Sequence, residues 1–135
     1  MTSKYFEIHE LVPPHLFEKR GEGCWRFIDE RLIATIDTLK EHFSSGTMTI
    51  NNYKWGGDRV ASGLRTPISQ YYSETSMHSF GRAVDCIFSN YTAEEVRRYI
   101  SQHPSFFPYA KGLEDTVPWL HVDVRNEDEL KLFQP

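Results

Sequence analysis

The seven residues Trp119-Leu120-His121-Val122-Asp123-Val124-Arg125 decide how the chain is to be read. In an extended backbone, successive side chains point to opposite faces. Leu120, Val122 and Val124 then form an apolar face that suits a core, while Trp119, His121, Asp123 and Arg125 project from the other. That second face is either a solvated strand surface or a working one, since it sets a row of ionisable groups beside an aromatic ring.

Upstream, Arg82-Ala83-Val84-Asp85-Cys86-Ile87-Phe88 reads as another strand. It places Asp85 among apolar neighbours, where an unpartnered carboxylate would cost several kcal/mol. Asp85 therefore needs either a cation or an ion pair, with Arg65 or Arg82 as the available arginines. His78 lies just before this strand in Ser76-Met77-His78-Ser79-Phe80-Gly81, and Gly81 allows a tight turn between the two. His78, His121 and Asp85 make a sensible zinc set. Imidazole nitrogen and carboxylate oxygen both bind the ion, and three protein ligands leave a fourth position for a reactive water. No His-Glu-x-x-His helix is present, so the arrangement is not thermolysin-like.

The rest of the chain supplies support. Residues 47–50 and 111–114 have strand character. Thr92-Ala93-Glu94-Glu95 is a capping box opening a helix to about Gln102, which Pro104 stops. Pro13-Pro14 starts a short helix over 15–19. A longer helix is expected over 24–43, because Trp25, Ile28, Leu32, Ile36, Leu39 and Phe43 make one stripe at three- and four-residue spacing. Residues 51–72 hold Gly56-Gly57, Gly63 and Pro67 and read as a long loop of the kind that carries function. Helices first and strands later give an α+β class: a small, mainly antiparallel sheet with N-terminal helices packed on it. One domain over 1–135 is expected, with 1–46 as helical support and 47–135 as the core that holds the site.

Composition narrows the partners. The 135 residues carry a formal net charge of −4, which gives no attraction for nucleic acid. No apolar run is long enough for membrane insertion, and the first residues lack the apolar core of a signal peptide. Two cysteines, Cys24 and Cys86, are too few for an all-thiolate metal site, and no disulfide is expected between them. Any metal must be held by histidine and carboxylate. Of the other histidines, His42 and His103 sit at expected helix ends, and His9 and His15 lie away from any motif. Trp55, Tyr71, Tyr72 and Trp119 could line a groove, with Trp119 favoured by its place beside His121.

The motif His78-x-x-Gly81-x-Ala83-x-Asp85, preceded by Ser76 and followed by His121-x-Asp123-x-Arg125, resembles the zinc D-Ala-D-Ala carboxypeptidases and their relatives. Ser62-Gly63-Leu64-Arg65-Thr66-Pro67 is similar to that family's upstream Ser-Gly-x-Arg-[Ser/Thr]-Pro segment. The three elements stand in the family's order and run from Ser62 to Arg125. Phage endolysins, virion proteins and bacterial cell-wall enzymes contain such domains, and the Hedgehog signalling domain shares the fold.

By that resemblance one Zn²⁺ per chain is held by His78, Asp85 and His121. Arg65 contacts substrate or steadies the oxyanion, and Ser76 lines the substrate site; Trp119 is added as a substrate contact on its position beside His121 alone. Asp123 either orients a metal ligand from behind or pairs with Arg125. The chain departs from the family at the general base. An acid commonly stands three residues before the second zinc histidine, and here that residue is Pro118. Glu114 is the preferred replacement, because Gly112-Leu113 suggest a strand edge and glutamate reaches further. Asp115 is the fallback. The implied function is a zinc metallopeptidase that cleaves stem peptides or cross-links of bacterial peptidoglycan. The alternative is a non-catalytic, zinc-stabilised phage structural or wall-binding module. Without an export signal, the expected setting is a cytoplasmic product that reaches the wall with a holin-type partner, or a component of a virion.

Overall fold

A computed structural model describes all residues from Met1 to Pro135. Three α-helices and five short strands are interspersed with short segments of 3₁₀-helix. The helices are α1 (Pro14–Arg20), α2 (Glu30–His42) and α3 (Ala93–Gln102). The strands are β1 (Met48–Thr49), β2 (Ala83–Phe88), β3 (Gly112–Glu114), β4 (Leu120–Asp123) and β5 (Lys131–Phe133). They form one sheet in the order β1-β2-β4-β3-β5. Every pairing is antiparallel except β3 with β5, which is parallel. No helix is long and apolar enough to cross a membrane.

The strand faces divide as the alternation requires. Val84 pairs with Val122, and Cys86 with Leu120. These side chains join a core completed by Ile33, Ile36 and Leu39 of α2 and by Val96 and Ile100 of α3. The helices cover this face only, and the opposite face is left to line a groove.

Helix α2 begins later than the apolar stripe suggests. Gly21–Phe27 is a 3₁₀ segment, and Asp29 is the N-cap, its carboxylate accepting from the amide of Arg31 at 2.9 Å. The break has a tertiary cause. The Asp29 amide donates to the Gly81 carbonyl at 2.9 Å, and Asp29 also pairs with Arg82 at 3.4 Å. Gly81 adopts φ +67°, and a Cβ there would collide with the Phe27 carbonyl oxygen. The segment before α2 is thus bound to the turn between His78 and Asp85, and a continuous helix could not reach it. The capping box of α3 forms in one half: Thr92 accepts from the Glu95 amide, while the Glu95 carboxylate accepts from the Thr92 hydroxyl.

Asn51, fully buried, ties the N-terminal segment to the sheet. Its side chain donates to the Val12 carbonyl at 3.1 Å and accepts from the Ser62 amide at 2.9 Å. Arg97, buried on α3, donates to the carbonyls of Val117 and Trp119 and so fixes the turn that leads into β4.

Asp29 gives a test of the helix start. Hydrogen bonding to Arg31 outweighs its partial burial, and its carboxyl is held below the usual value. A lowered acid stabilises the fold at pH above its unfolded value and loses that contribution as pH falls through its folded value. Asp29→Ala should cost about 1 kcal/mol near neutrality. Urea midpoints of the two proteins should differ fully at pH 5–7 and converge as pH drops below roughly 4.

Candidate metal centre

The β2–β4 register sets Asp85 opposite His121. Gly112 pairs with Asp123 and Leu113 with Val122, so continuing the ladder brings Glu114 level with His121. Glu114 in turn pairs with Phe133 on β5. One transverse row on the open face therefore reads Asp85, His121, Glu114, Phe133. All four line a groove of about 1030 Å³, as do Arg65, Ser76, His78, Trp119, Asp123 and Arg125.

His78 reaches the row from a 3₁₀ turn, Met77–Phe80, capped by Ser76, whose hydroxyl accepts from the His78 amide at 3.2 Å. Its ring Nδ1 lies 2.9 Å from the Gly63 carbonyl oxygen. A carbonyl can only accept, so Nδ1 carries the hydrogen and Nε2 keeps its lone pair. That Nε2 lies 3.3 Å from Asp85 Oδ1, and His121 Nδ1 lies 3.0 Å from the same oxygen. The ligand atoms of His78, Asp85 and His121 all fall within 4.8 Å of one another, with both histidines buried. Ligand bonds near 2.0–2.1 Å in a tetrahedron put donors roughly 3.4 Å apart. The group could hold a metal ion.

Behind the row, Asp123 is fully buried and does both things open to it in the sequence. Its Oδ2 lies 2.7 Å from His121 Nε2, and it accepts from Arg125 Nε and Nη2, each at 2.7 Å. Such a carboxylate behind a histidine fixes the ring's orientation and tautomer for metal binding. Gly112 makes room for it, because a Cβ there would meet Asp123 Oδ1 at 2.3 Å.

The electrostatics follow from this packing. Burial opposes the charge on Asp85, but hydrogen bonds from His121 and His78 outweigh it and hold the carboxyl far below its usual range. Burial also opposes charge on His121, and hydrogen bonds to Asp123 and Asp85 reverse the effect, raising the metal-free ring to about 9. Asp123, despite burial, is lowered to about 2 by Arg125 and His121.

Arg65 donates from Nε to the Ala61 carbonyl at 2.8 Å and from Nη2 to Asp85 Oδ2 at 3.2 Å. The ion pair and a cation are thus compatible partners for Asp85, since they use different oxygens. Arg82 takes Asp29 instead. Glu114 is half-buried and acts electrostatically on Arg65. Asp115 is turned elsewhere, 3.9 Å from Arg97 and accepting from the Thr116 amide. Pro118 lies in a separate small pocket behind α3. Trp119 lines the groove, and its indole N–H has no protein acceptor.

The other expectations separate by position. Tyr71 lines the groove from a left-handed backbone, φ +65°, while Trp55 is 65% exposed beside His9. His15 bonds Thr66, and His42 and His103 stack with Tyr99 and Phe106. Cys24 and Cys86 are buried free thiols. Phe133, Gly63 and Gly112 belong to the site and were not anticipated. Only the small residue at 112, paired with the acid-bearing strand, offered a hint. No family model, curated protein or solved structure matches this chain.

Three substitutions probe the centre. Equilibrium dialysis should give one divalent ion per chain for the native protein and none for His78→Ala or His121→Ala. Gly112→Ala should push Asp123 off His121 and weaken metal affinity about tenfold or more, measured by chelator competition.

Proposed function

We propose that this chain is a zinc metallopeptidase of the D-Ala-D-Ala carboxypeptidase type, with the fold shared by the Hedgehog domain, and that it cleaves peptide bonds in bacterial peptidoglycan. The observation that carries the reading is the transverse row: two histidines and an aspartate able to hold a metal, with an unbonded glutamate one strand away in the same groove. The motif resemblance supplies the substrate class.

Zinc bound by His78, Asp85 and His121 would supply Lewis acidity and an activated water. Gly63 and Asp123 hold the two imidazoles in the tautomers that present Nε2 of His78 and Nδ1 of His121. Arg65 shares the charge of Asp85, and its Nη1 makes only a long bond, 3.5 Å, to the Tyr71 carbonyl. That donor suits a developing oxyanion. Glu114 takes a proton and passes it to the departing amine. It stands in for the acid that Pro118 displaces, arriving from a neighbouring strand instead of from three residues upstream. Trp119 and Ser76 line the same groove, so both are placed to contact a peptide.

Incubation of the zinc-loaded protein with purified peptidoglycan, followed by mass spectrometry of released fragments, tests the reading and identifies the bond. Chelation should abolish release. Glu114→Gln should lower turnover at least about a hundredfold while zinc content and thermal midpoint stay native. A protein that binds zinc yet releases no fragment from any peptidoglycan would instead be a zinc-stabilised wall-binding or virion module.

A further inference from the structure

We propose that Phe133 is a positioning residue for the metal centre, acting on His121 through Arg125 and Asp123; the proposal rests on the metal-site reading above. Strand β5 adds nothing to the apolar core, since Lys131 and Leu132 are exposed. It is nevertheless held at both ends, by the Asp115 amide on the Phe133 carbonyl at 2.7 Å and the Lys131 amide on the Lys111 carbonyl at 2.8 Å. What the strand delivers is one ring at the end of the transverse row.

That ring has two polar neighbours. The His121 imidazole meets it edge to face, with centroids 5.3 Å apart and planes at 86°. The guanidinium carbon of Arg125 lies 4.6 Å from its centroid. A guanidinium over an aromatic face is held by the ring's negative quadrupole. Arg125 makes two 2.7 Å bonds to Asp123, and Asp123 makes one to His121. The Arg125 side chain is 26% exposed, so water competes for it. Without the ring, Arg125 can leave Asp123, and the carboxylate that orients His121 loses its anchor. Phe133 therefore contacts one metal ligand directly and braces the support of the same ligand.

Zinc dissociation constants by chelator competition test this, alongside thermal midpoints of the metal-free proteins and visible spectra of the cobalt-substituted ones. Phe133→Ala and Phe133→Leu should each weaken zinc about three- to tenfold, less than loss of a group bonded directly to a ligand. Both should also shift the cobalt bands. Phe133→Tyr, which keeps the ring, should bind within about twofold of native. Leu132→Ala, which trims the same strand on its other side, should leave affinity unchanged. In an Arg125→Met background, Phe133→Ala should cost far less than it does alone, because the two share one path. Native affinity in both Phe133→Ala and Phe133→Leu overturns the proposal and leaves the metal site standing. So does an equal loss in Leu132→Ala, or full additivity with Arg125→Met. A native protein that takes up no zinc overturns the metal-site reading and this proposal with it.

Discussion

Two carboxylates on one face of a small sheet, Asp85 and Asp123, govern the rest of the structure. Removing a carboxylate from water costs several kcal/mol unless charges and hydrogen bonds replace the solvent. Asp123 is completely buried, so the chain must supply both its lone-pair partners and its space. Arg125 and His121 provide the first and Gly112 the second. Asp85 draws in Arg65, His78 and His121. The two clusters meet at His121, whose ring bridges them. Satisfying these two shielded acids gathers the same residues that could hold a metal ion.

The N-terminal third is part of that solution. Its backbone accepts from the site segment, as in Leu64 to Leu11 at 2.8 Å, and Asp29 bonds both the Gly81 carbonyl and the Arg82 guanidinium in the turn behind His78. Gly63 shows how close the approach is, since a Cβ there would meet the Leu11 carbonyl at 2.4 Å. The same glycine offers its carbonyl to His78. Helical support and site core are therefore one hydrogen-bonded unit, and the boundary near residue 46 is one of sequence character only.

Much of this was legible in the sequence because alternation along a strand is a strong constraint. The two faces of 120–124 and the isolation of Asp85 in 83–87 follow from period two, and the α+β class follows from element order. The start of α2 was hidden because the apolar stripe continues through Trp25 and Ile28, residues that pack on the core without belonging to the α-helix. What delays the helix start is a contact with Gly81, more than fifty residues away. Strand β5 was hidden for a similar reason. Lys131-Leu132-Phe133 has no pattern of its own, and only pairing with β3 makes it a strand. Glu114 could be preferred over Asp115 from its reach and the strand edge at Gly112-Leu113, but its level with His121 needed the register. The pairing of Asp123 with both His121 and Arg125 could not be settled by spacing, because two residues along a strand permits either.

The two imidazoles are held by unlike partners, and this gives them unequal fates under mutation. His78 leans on a main-chain oxygen, which every residue type possesses, so its tautomer survives any substitution that leaves the path of the backbone intact. His121 leans on a side chain that itself depends on an arginine, a glycine and a neighbouring strand. Genetic drift can therefore reach the second histidine from several positions and the first from very few. Erosion of the cluster would be expected to begin on the His121 side, with His78 persisting longest as its relic.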